Sequence, residues 1–371
     1  MQIKAAVLRR PGAPRPYAQS RPLSIETVAL APPGAGEVLV RIAAAGLCHS
    51  DLSIVNGDRL RQMPVILGHE AAGVVETVGQ GVTDLAAGDH VILVFVPSCG
   101  HCAMCGAGRP ALCEPAFASN YAGTLFSGGR RLAEGAINHF MGLSAFASHA
   151  VVSRHSLIKI DRSVPLDAAA LFSCAVLTGV GAVINTAGVK PGASVGVVGL
   201  GGVGLNAVMG AVVAGASRIV ALDANPAKLD LARQLGATEA LAVGPDTVKQ
   251  VRELTQGGVD WAIETAGAVP ALELALAVTR RGGETISAGL PRHDASMTVN
   301  PSLFVVEERA LKGSYMGSAV PSRDLPRYLD LYRRGRLPVD RLLSATLPLE
   351  RINEGFDALA DGSAVRQVIA F

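Results

Sequence analysis

The run Ser194 to Gly204 (SVGVVGLGGVG) constrains the fold more than any other part of this 371-residue chain. Five residues suited to a buried strand lead into Gly199, Gly201 and Gly204, and Val203 to Ala214 then reads as a helix. In that setting Gly199 permits a tight turn, Gly201 lets the backbone approach a pyrophosphate, and Gly204 lets helix and strand pack closely. Gly202 and Val203 fill out the turn, and the helix start offers unpaired N–H groups to the phosphate charge. GxGxxG alone is a weak signal in a chain with 42 glycines. Here both flanks are right, and the next strand candidate, Arg218 to Leu222, is followed by the acidic Asp223.

A carboxylate at that place hydrogen-bonds the adenosine ribose and repels the extra phosphate of NADP. Ala224 and Asn225 supply no cation for such a phosphate, so NAD is the expected cofactor. Lys228 is close enough to help on the ribose, or it lies on a solvated helix face. The alternation continues with a helix at Ala227 to Leu235 and strands at Val259 to Glu264 and Glu284 to Ala288. Strands and helices alternating at this spacing mean parallel βαβ units. Ala193 to Ser217 carries no charge and is long enough to cross a bilayer, but its seven glycines fit strand, turn and helix instead. Beyond Ser318 the rhythm is lost. Leu325 to Arg333 and Arg351 to Leu359 read as helices, and Gln367 to Phe371 as a last strand.

Residues 1 to about 92 alternate short apolar runs, such as Glu37 to Ile42 and Gly73 to Val78, with Gly, Pro and Asp breaks, as a β-rich domain does. From about 97 to 142 the chain becomes an irregular lobe that needs something other than a core to hold it. The lobe contains Cys99, Cys102, Cys105 and Cys113 at C-x2-C-x2-C-x7-C spacing. Four thiolates close a tetrahedral zinc shell, and they can also hold an iron–sulfur cluster. His101 sits inside the run, where four sulfurs already suffice. The remaining cysteines are Cys48 and Cys174, six in all. With no secretory signal read at the start, metal is favoured over disulfides and a cytoplasmic setting is expected.

Cys48 follows an apolar strand candidate, His69 lies in Gly68-His69-Glu70-Ala-Ala-Gly73-Val-Val-Glu-Thr-Val-Gly79, and Cys174 precedes the nucleotide-binding block. Spacing alone does not join these three. Two cysteines and a histidine with one open position are, however, a known catalytic zinc arrangement.

With the GHExxGxVxxxG run at 68–79, the four-cysteine lobe and the GLGGVG turn in this order, the chain resembles the zinc-containing medium-chain dehydrogenase/reductases, and among them the alcohol dehydrogenases. The resemblance covers essentially the whole length. It implies an α/β protein with a GroES-like β-rich catalytic domain, 1–177 and 318–371, and an inserted Rossmann domain with a doubly wound parallel sheet, 178–317. It implies two zinc ions per chain: a catalytic one on Cys48, His69 and Cys174 with Glu70 close behind, and a structural one in the lobe. Asp51 matches the carboxylate that holds the zinc-bound histidine. Ser50 matches the hydroxyl that meets the alcohol, Thr178 a residue against the nicotinamide ring, and Arg366 a pyrophosphate contact. His49 stands where many relatives use Arg for the same phosphate. Phe95, Phe140 and Met141 fall at substrate-pocket positions, which suits medium-chain or aromatic primary alcohols.

Some positions depart from the family pattern. Ser53 replaces a histidine that ends a proton relay in many relatives. Phe117 replaces an arginine used by glutathione-dependent formaldehyde dehydrogenases, so a thiol-adduct activity is the alternative reading with less support. Cys174 disfavours a polyol dehydrogenase, and the intact ligand set disfavours a catalytically silent NAD-binding structural protein. Arg59, after a Gly-Asp turn, is either a cation at the pocket mouth or a solvated surface residue. The formal charge of +2 and the absence of basic runs exclude a nucleic-acid partner, and no membrane partner is expected. The long lobe segment between Cys113 and His139 accompanies dimers among relatives, so a homodimer is expected.

Overall fold

The computed structural model describes all residues, Met1–Phe371. The chain divides into two compact units. One comprises 1–174, 320–329 and 339–371, and the other 175–319 and 330–338. The main crossings fall at 174/175 and 319/320, against the expected 177/178 and 317/318, and the short return at 330–338 has no local signal in the sequence.

The first unit is built on mostly antiparallel sheets. Its spine is the ten-residue strand Glu37–Gly46, which pairs along its length with Glu70–Val78 and with His149–Ser153. Arg366–Ala370, at the end of the chain, pairs with the inner end of the same strand, bringing residue 366 beside residues 46–48. A second sheet contains Gln2–Leu8, Leu23–Ala29, Val65–Ile66 and Asn138–His139. Between these sheets lies a core of Ile3, Val7, Val28, Ile66, Ala147 and Val151.

The lobe is irregular as expected from about Ser98 to Cys113, with one four-residue helix and a single 3-10 turn. Its second half differs from the expectation. Leu125, Leu132 and Ile137 are buried in the core just described, so hydrophobic packing rather than metal fixes residues 125–137. Those apolar residues are too sparse in sequence to show a period, which is why the lobe reads as coreless throughout.

The second unit holds a six-stranded parallel sheet in the order Glu239–Ala242, Arg218–Asp223, Ser194–Val198, Val259–Glu264, Thr279–Ser287, Ala310–Gly313. Its central strands are buried on both faces, so they read as unbroken apolar runs rather than alternating ones. Helices Thr247–Thr255 and Val269–Val278, which the sequence reading passed over, cover one face with Val251, Ala275 and Val278. The helix expected at Ala227 to Leu235 starts as a 3-10 turn, Pro226–Lys228, and becomes α-helical only at Leu229–Gln234. There the Asn225 side chain accepts the Ala227 N–H at 3.0 Å, which tightens the first turn. The helix expected from Leu325 begins earlier, at Pro321, because the Asp324 carboxylate accepts the Val320 N–H and caps it.

The uncharged stretch Ala193 to Ser217 is strand, turn and helix. The helix that is long and apolar enough to cross a membrane is Leu166–Ala187, and 89% of its apolar window is buried in the protein, as in a core helix. It widens into π turns at Phe172–Val176 and Ala182–Ala187.

Candidate functional site

Cys48 lies two residues past the end of the spine strand and stands as the residue before helix His49–Val55. His69 lies just ahead of strand Glu70–Val78, after Gly68 in the left-handed region at φ 94°. Cys174 sits in the first π turn, a conformation that recurs at functional sites. These three separate segments, with Glu70, bring one ligand atom each to within 4.8 Å of one another, and all four residues are buried.

Asp51 sets the histidine. It accepts the Gly68 N–H at 3.0 Å, and His69 Nδ1 lies 3.2 Å from its Oδ1 and 3.1 Å from its Oδ2. With Nδ1 engaged there, Nε2 is the nitrogen left for a metal. That Nε2 is buried without a hydrogen-bond partner, and so is Oε2 of Glu70. Orphaned buried polar atoms are costly, and here two of them converge with two thiols. Two soft sulfurs, an imidazole and a carboxylate form a zinc donor set, so the residues fit the ion that the resemblance implies.

Arg366 comes to the same place from the last strand. Its Nη1 lies 3.1 Å from Glu70 Oε1 and donates to the Leu47 carbonyl at 3.3 Å, and the side chain is buried. Burial pushes the Glu70 carboxyl up to about 8 even though Arg366 favours its charged form. Burial also works against a charge on His69, but Asp51 and Cys48 outweigh it and hold the imidazole well above its usual range.

Phe95 and Phe140 present themselves edge-on to the His69 ring, with centroids at 5.3 and 5.8 Å. Both are buried and form an apolar wall beside the ligand set. Met141, next to them, is a non-glycine residue at φ 51°. His49 is exposed, and Ser50 is half-buried in the first turn after Cys48. Ser53, the substitute for a relay histidine, gives its hydroxyl to the Ser50 carbonyl at 2.9 Å. Arg59 donates its backbone N–H to the Ser53 carbonyl, so the segment folds back on the helix.

In the lobe, the sulfurs of Cys99, Cys102, Cys105 and Cys113 also lie within 4.8 Å of one another, and none forms a disulfide. The Cys99–Cys105 separation is 3.9 Å. Zinc–sulfur bonds of about 2.3 Å in a tetrahedron place sulfurs about 3.8 Å apart. Sulfurs this close suit a single ion; an iron–sulfur cluster would hold them further apart. Backbone N–H groups of Cys105 and Glu114 bring the Cys102 thiol down to about 6, while burial pushes the Cys105 thiol up to about 12. His101 Nδ1 contacts the Cys99 carbonyl at 2.9 Å and stays outside the set.

The glycine turn belongs to the second unit. Gly199 has φ 94°, and a Cβ there would strike Ala266. A Cβ on Gly204 would fall 1.8 Å from the Gly199 carbonyl oxygen. Gly201 faces open space, which a side chain would fill and a pyrophosphate can approach. Helix Gly202–Val213 begins immediately after it. Asp223 closes the turn from the next strand: Oδ2 accepts the Leu200 N–H at 2.6 Å and Oδ1 the Asn225 N–H at 2.7 Å. Lys228 Nζ stands 3.7 Å from Asp223 Oδ2, near enough to share a ribose. Thr178 is buried in helix Leu177–Gly181, whose Gly179 packs against Val203 and Asn206 of the helix after the turn.

Sequence reading missed the Arg366–Glu70 pair and the edge-on aromatic contacts with His69, since no local pattern encodes either. It also missed Glu264 and Thr265, whose only signal is an acidic residue closing a strand next to the glycine turn.

Residues 34–162 match the alcohol dehydrogenase GroES-like domain, and residues 202–334 the zinc-binding dehydrogenase domain. The fold superimposes on an alcohol dehydrogenase zinc-binding domain protein from Burkholderia ambifaria, with 37% identity, a TM-score of 0.93, and 100% and 99% of the two chains covered. It also superimposes on benzyl alcohol dehydrogenase from Acinetobacter calcoaceticus, with 31% identity, a TM-score of 0.93, and 100% and 99% covered. A putative zinc-binding dehydrogenase from Sinorhizobium meliloti, bound to NADP, matches at 26% identity and a TM-score of 0.81 over 100% of both chains.

Proposed function

The chain belongs to the zinc-containing alcohol dehydrogenases of the medium-chain dehydrogenase/reductase family, and on that footing we propose that it interconverts aromatic or medium-chain primary alcohols and their aldehydes with NAD. The observation that carries this reading is the pair of orphaned buried atoms, His69 Nε2 and Glu70 Oε2, converging with the thiols of Cys48 and Cys174.

Cys48, His69 and Cys174 would hold the catalytic zinc, and the four lobe cysteines a second. When bound, the catalytic ion supplies the Lewis acidity that makes a hydroxyl easy to deprotonate near neutral pH. Asp51 holds the imidazole by Nδ1, which leaves Nε2 for the ion. Glu70 would stand close to the ion, held by Arg366 Nη1 at 3.1 Å. Ser50 would accept the substrate hydroxyl proton and pass its own on toward solvent, and NAD, when bound, would supply the hydride acceptor that takes the alcohol to the aldehyde. Phe95 and Phe140 exclude water and bind an apolar substituent, which favours benzyl or alkyl groups over polyols. That preference agrees with the name of the Acinetobacter enzyme.

For the cofactor, Gly199 to Gly204 take the pyrophosphate, and Asp223 takes the adenosine ribose. Each Asp223 oxygen accepts one backbone N–H and keeps a further lone pair for a ribose hydroxyl. A carboxylate at that place disfavours a 2′-phosphate, which supports NAD over NADP.

The protein is further proposed to act as a homodimer. Strand Ala310–Gly313 is an open edge of the parallel sheet, and Val305 and Val306 beside it are 78% and 73% exposed. An uncovered edge with apolar flanks is the kind of surface that proteins otherwise protect.

The test is metal content together with turnover of benzyl alcohol and hexanol, before and after chelation. Two zinc ions per chain, with activity lost as the first leaves, are expected. One zinc confined to the lobe would refute the site at Cys48, His69 and Cys174, and faster turnover of short polar alcohols would refute the substrate class.

A further inference from the structure

The parallel sheet of the second unit carries a buried acid that the chemistry above does not use. Glu264 is the last residue of strand Val259–Glu264 and is 1% exposed. Its neighbours in the sheet are Ser194–Val198, which leads to the glycine turn, and Thr279–Ser287. Its carboxylate accepts the Gly267 N–H at 2.6 Å and receives further backbone N–H groups from Ala266 and Gly289. The Ser287 hydroxyl stands 3.4 Å from its other oxygen. Its own carbonyl accepts Ala288 at 2.8 Å and Gly289 at 3.0 Å.

Glu264 thus binds two loops to each other, 265–267 after its own strand and 288–290 after the neighbouring one. The next residue ties in a third. Thr265 donates its hydroxyl to the Gly199 carbonyl at 2.6 Å, inside the glycine turn. The backbones meet without room for side chains: a Cβ on Gly289 would lie 2.2 Å from the Gly267 nitrogen and 2.7 Å from the Glu264 carboxylate.

In an open α/β sheet the ligand lies outside the carboxyl ends of the strands, where the strand order reverses. Here the order reverses between Ser194–Val198 and Val259–Glu264, so the crevice is flanked by the glycine turn and by loop 265–267. The half of the sheet on the Arg218–Asp223 side carries the adenosine groups already described. The other half is left for the nicotinamide nucleotide, and its loops are the ones that Glu264 binds together. A buried carboxylate is costly unless its hydrogen bonds are met, and an apolar residue would fill this place at less cost if packing were the only need.

We propose that Glu264 is a positioning residue for the nicotinamide half of the cofactor, holding loops 265–267 and 288–290 in register with the glycine turn through Thr265. The proposal rests on the dinucleotide reading of the second unit.

The test uses the zinc-loaded full-length protein and its Glu264→Gln variant, which keeps the side-chain volume and loses one acceptor oxygen. NADH and NADPH affinity are read from the fluorescence of the bound dihydronicotinamide, ADP affinity by calorimetry, and zinc by elemental analysis. The variant is expected to bind the preferred dinucleotide about tenfold more weakly or worse, since hydrogen bonds to a charged group are at stake. ADP, which reaches only the first half, should bind as in the wild type, with zinc content unchanged. Thr265→Val, which cuts only the link to the glycine turn, should show a smaller loss of the same kind. Unchanged NADH affinity in Glu264→Gln, or an equal loss for NADH and ADP, would overturn the proposal. A wild-type protein that binds ADP but neither dinucleotide would instead remove the dehydrogenase reading on which it rests.

Discussion

His69 Nδ1 and Asp51 Oδ2 are 3.1 Å apart, and both side chains are closed to solvent. The pair spans two segments of one unit, the helix after Cys48 and the turn at Gly68. Replacing Asp51 with Asn keeps an acceptor for the Gly68 N–H but removes the charge that fixes the imidazole tautomer. Zinc affinity at the Cys48–His69–Cys174 site should fall about 10- to 100-fold, as it does when such partners of metal-bound histidines are lost. Competition with a chelator checks this, and the lobe zinc serves as the internal control. Equal loss from both sites would mean that Asp51 serves the fold rather than the histidine.

Asp223 does two jobs at once. It is the proposed ribose ligand and also the acceptor for the Leu200 N–H inside the glycine turn, at 2.6 Å. Replacing it with Ala should therefore weaken NADH by more than one lost ribose contact implies. It should narrow the gap between NADH and NADPH without making NADPH a good ligand. Dissociation constants for both cofactors decide the matter. A variant that binds NADPH as tightly as the wild type binds NADH would show that the carboxylate acts on the phosphate alone.

These features were unequally legible in the sequence. The glycine turn and the cysteine lobe are local, so spacing reveals both. Cys48, His69 and Cys174 are far apart, and only the surrounding runs that carry the family likeness joined them. The likeness places Arg366 on the pyrophosphate; the fold adds that its guanidinium meets Glu70, 296 residues away. No periodicity encodes such a pairing. The lobe was read as coreless because Leu125, Leu132 and Ile137 are spaced by glycines and arginines, yet each enters the core of the first unit. Glu264 is invisible for the same reason as Arg366: its role comes from neighbouring loops that meet only once the sheet has formed.

Stability in acid should fall in two stages. His139 is buried, accepts the Arg131 N–H on Nε2, and is held neutral by burial, with its pKa lowered to about 3. An unfolded histidine titrates at about 6.5. The unfolded chain therefore binds the extra proton first, and stability falls as pH drops below about 6.5, by up to about 1.4 kcal/mol per pH unit from this group. Glu37 adds a later stage. Burial works against its charge, but Arg131, Ser127 and the Gly34 N–H outweigh burial and hold it below the usual carboxylate range. Its contribution is complete above about pH 4.3 and disappears as pH falls through its lower folded value. Urea unfolding across pH 4.5 to 7 should show a flatter slope for His139→Gln than for the wild type. Identical slopes would mean that His139 can charge without unfolding the chain.

The last prediction concerns the open edge of the parallel sheet. Strand Ala310–Gly313 pairs with Thr279–Ser287 on one side only. The short helix before it, Ser302–Val306, directs Val305 and Val306 into solvent. A second copy related by a two-fold axis would meet this surface with the same surface, so the patch is buried on both copies and the two edges can pair. Wild-type protein is therefore expected to run as a dimer in light scattering at micromolar concentration. Val306→Asp places a charge in that proposed contact, where its desolvation is not compensated. It should shift the mass to the monomer while both metal sites remain filled. A variant that stays dimeric would move the interface to another surface and leave the exposed valines without a role.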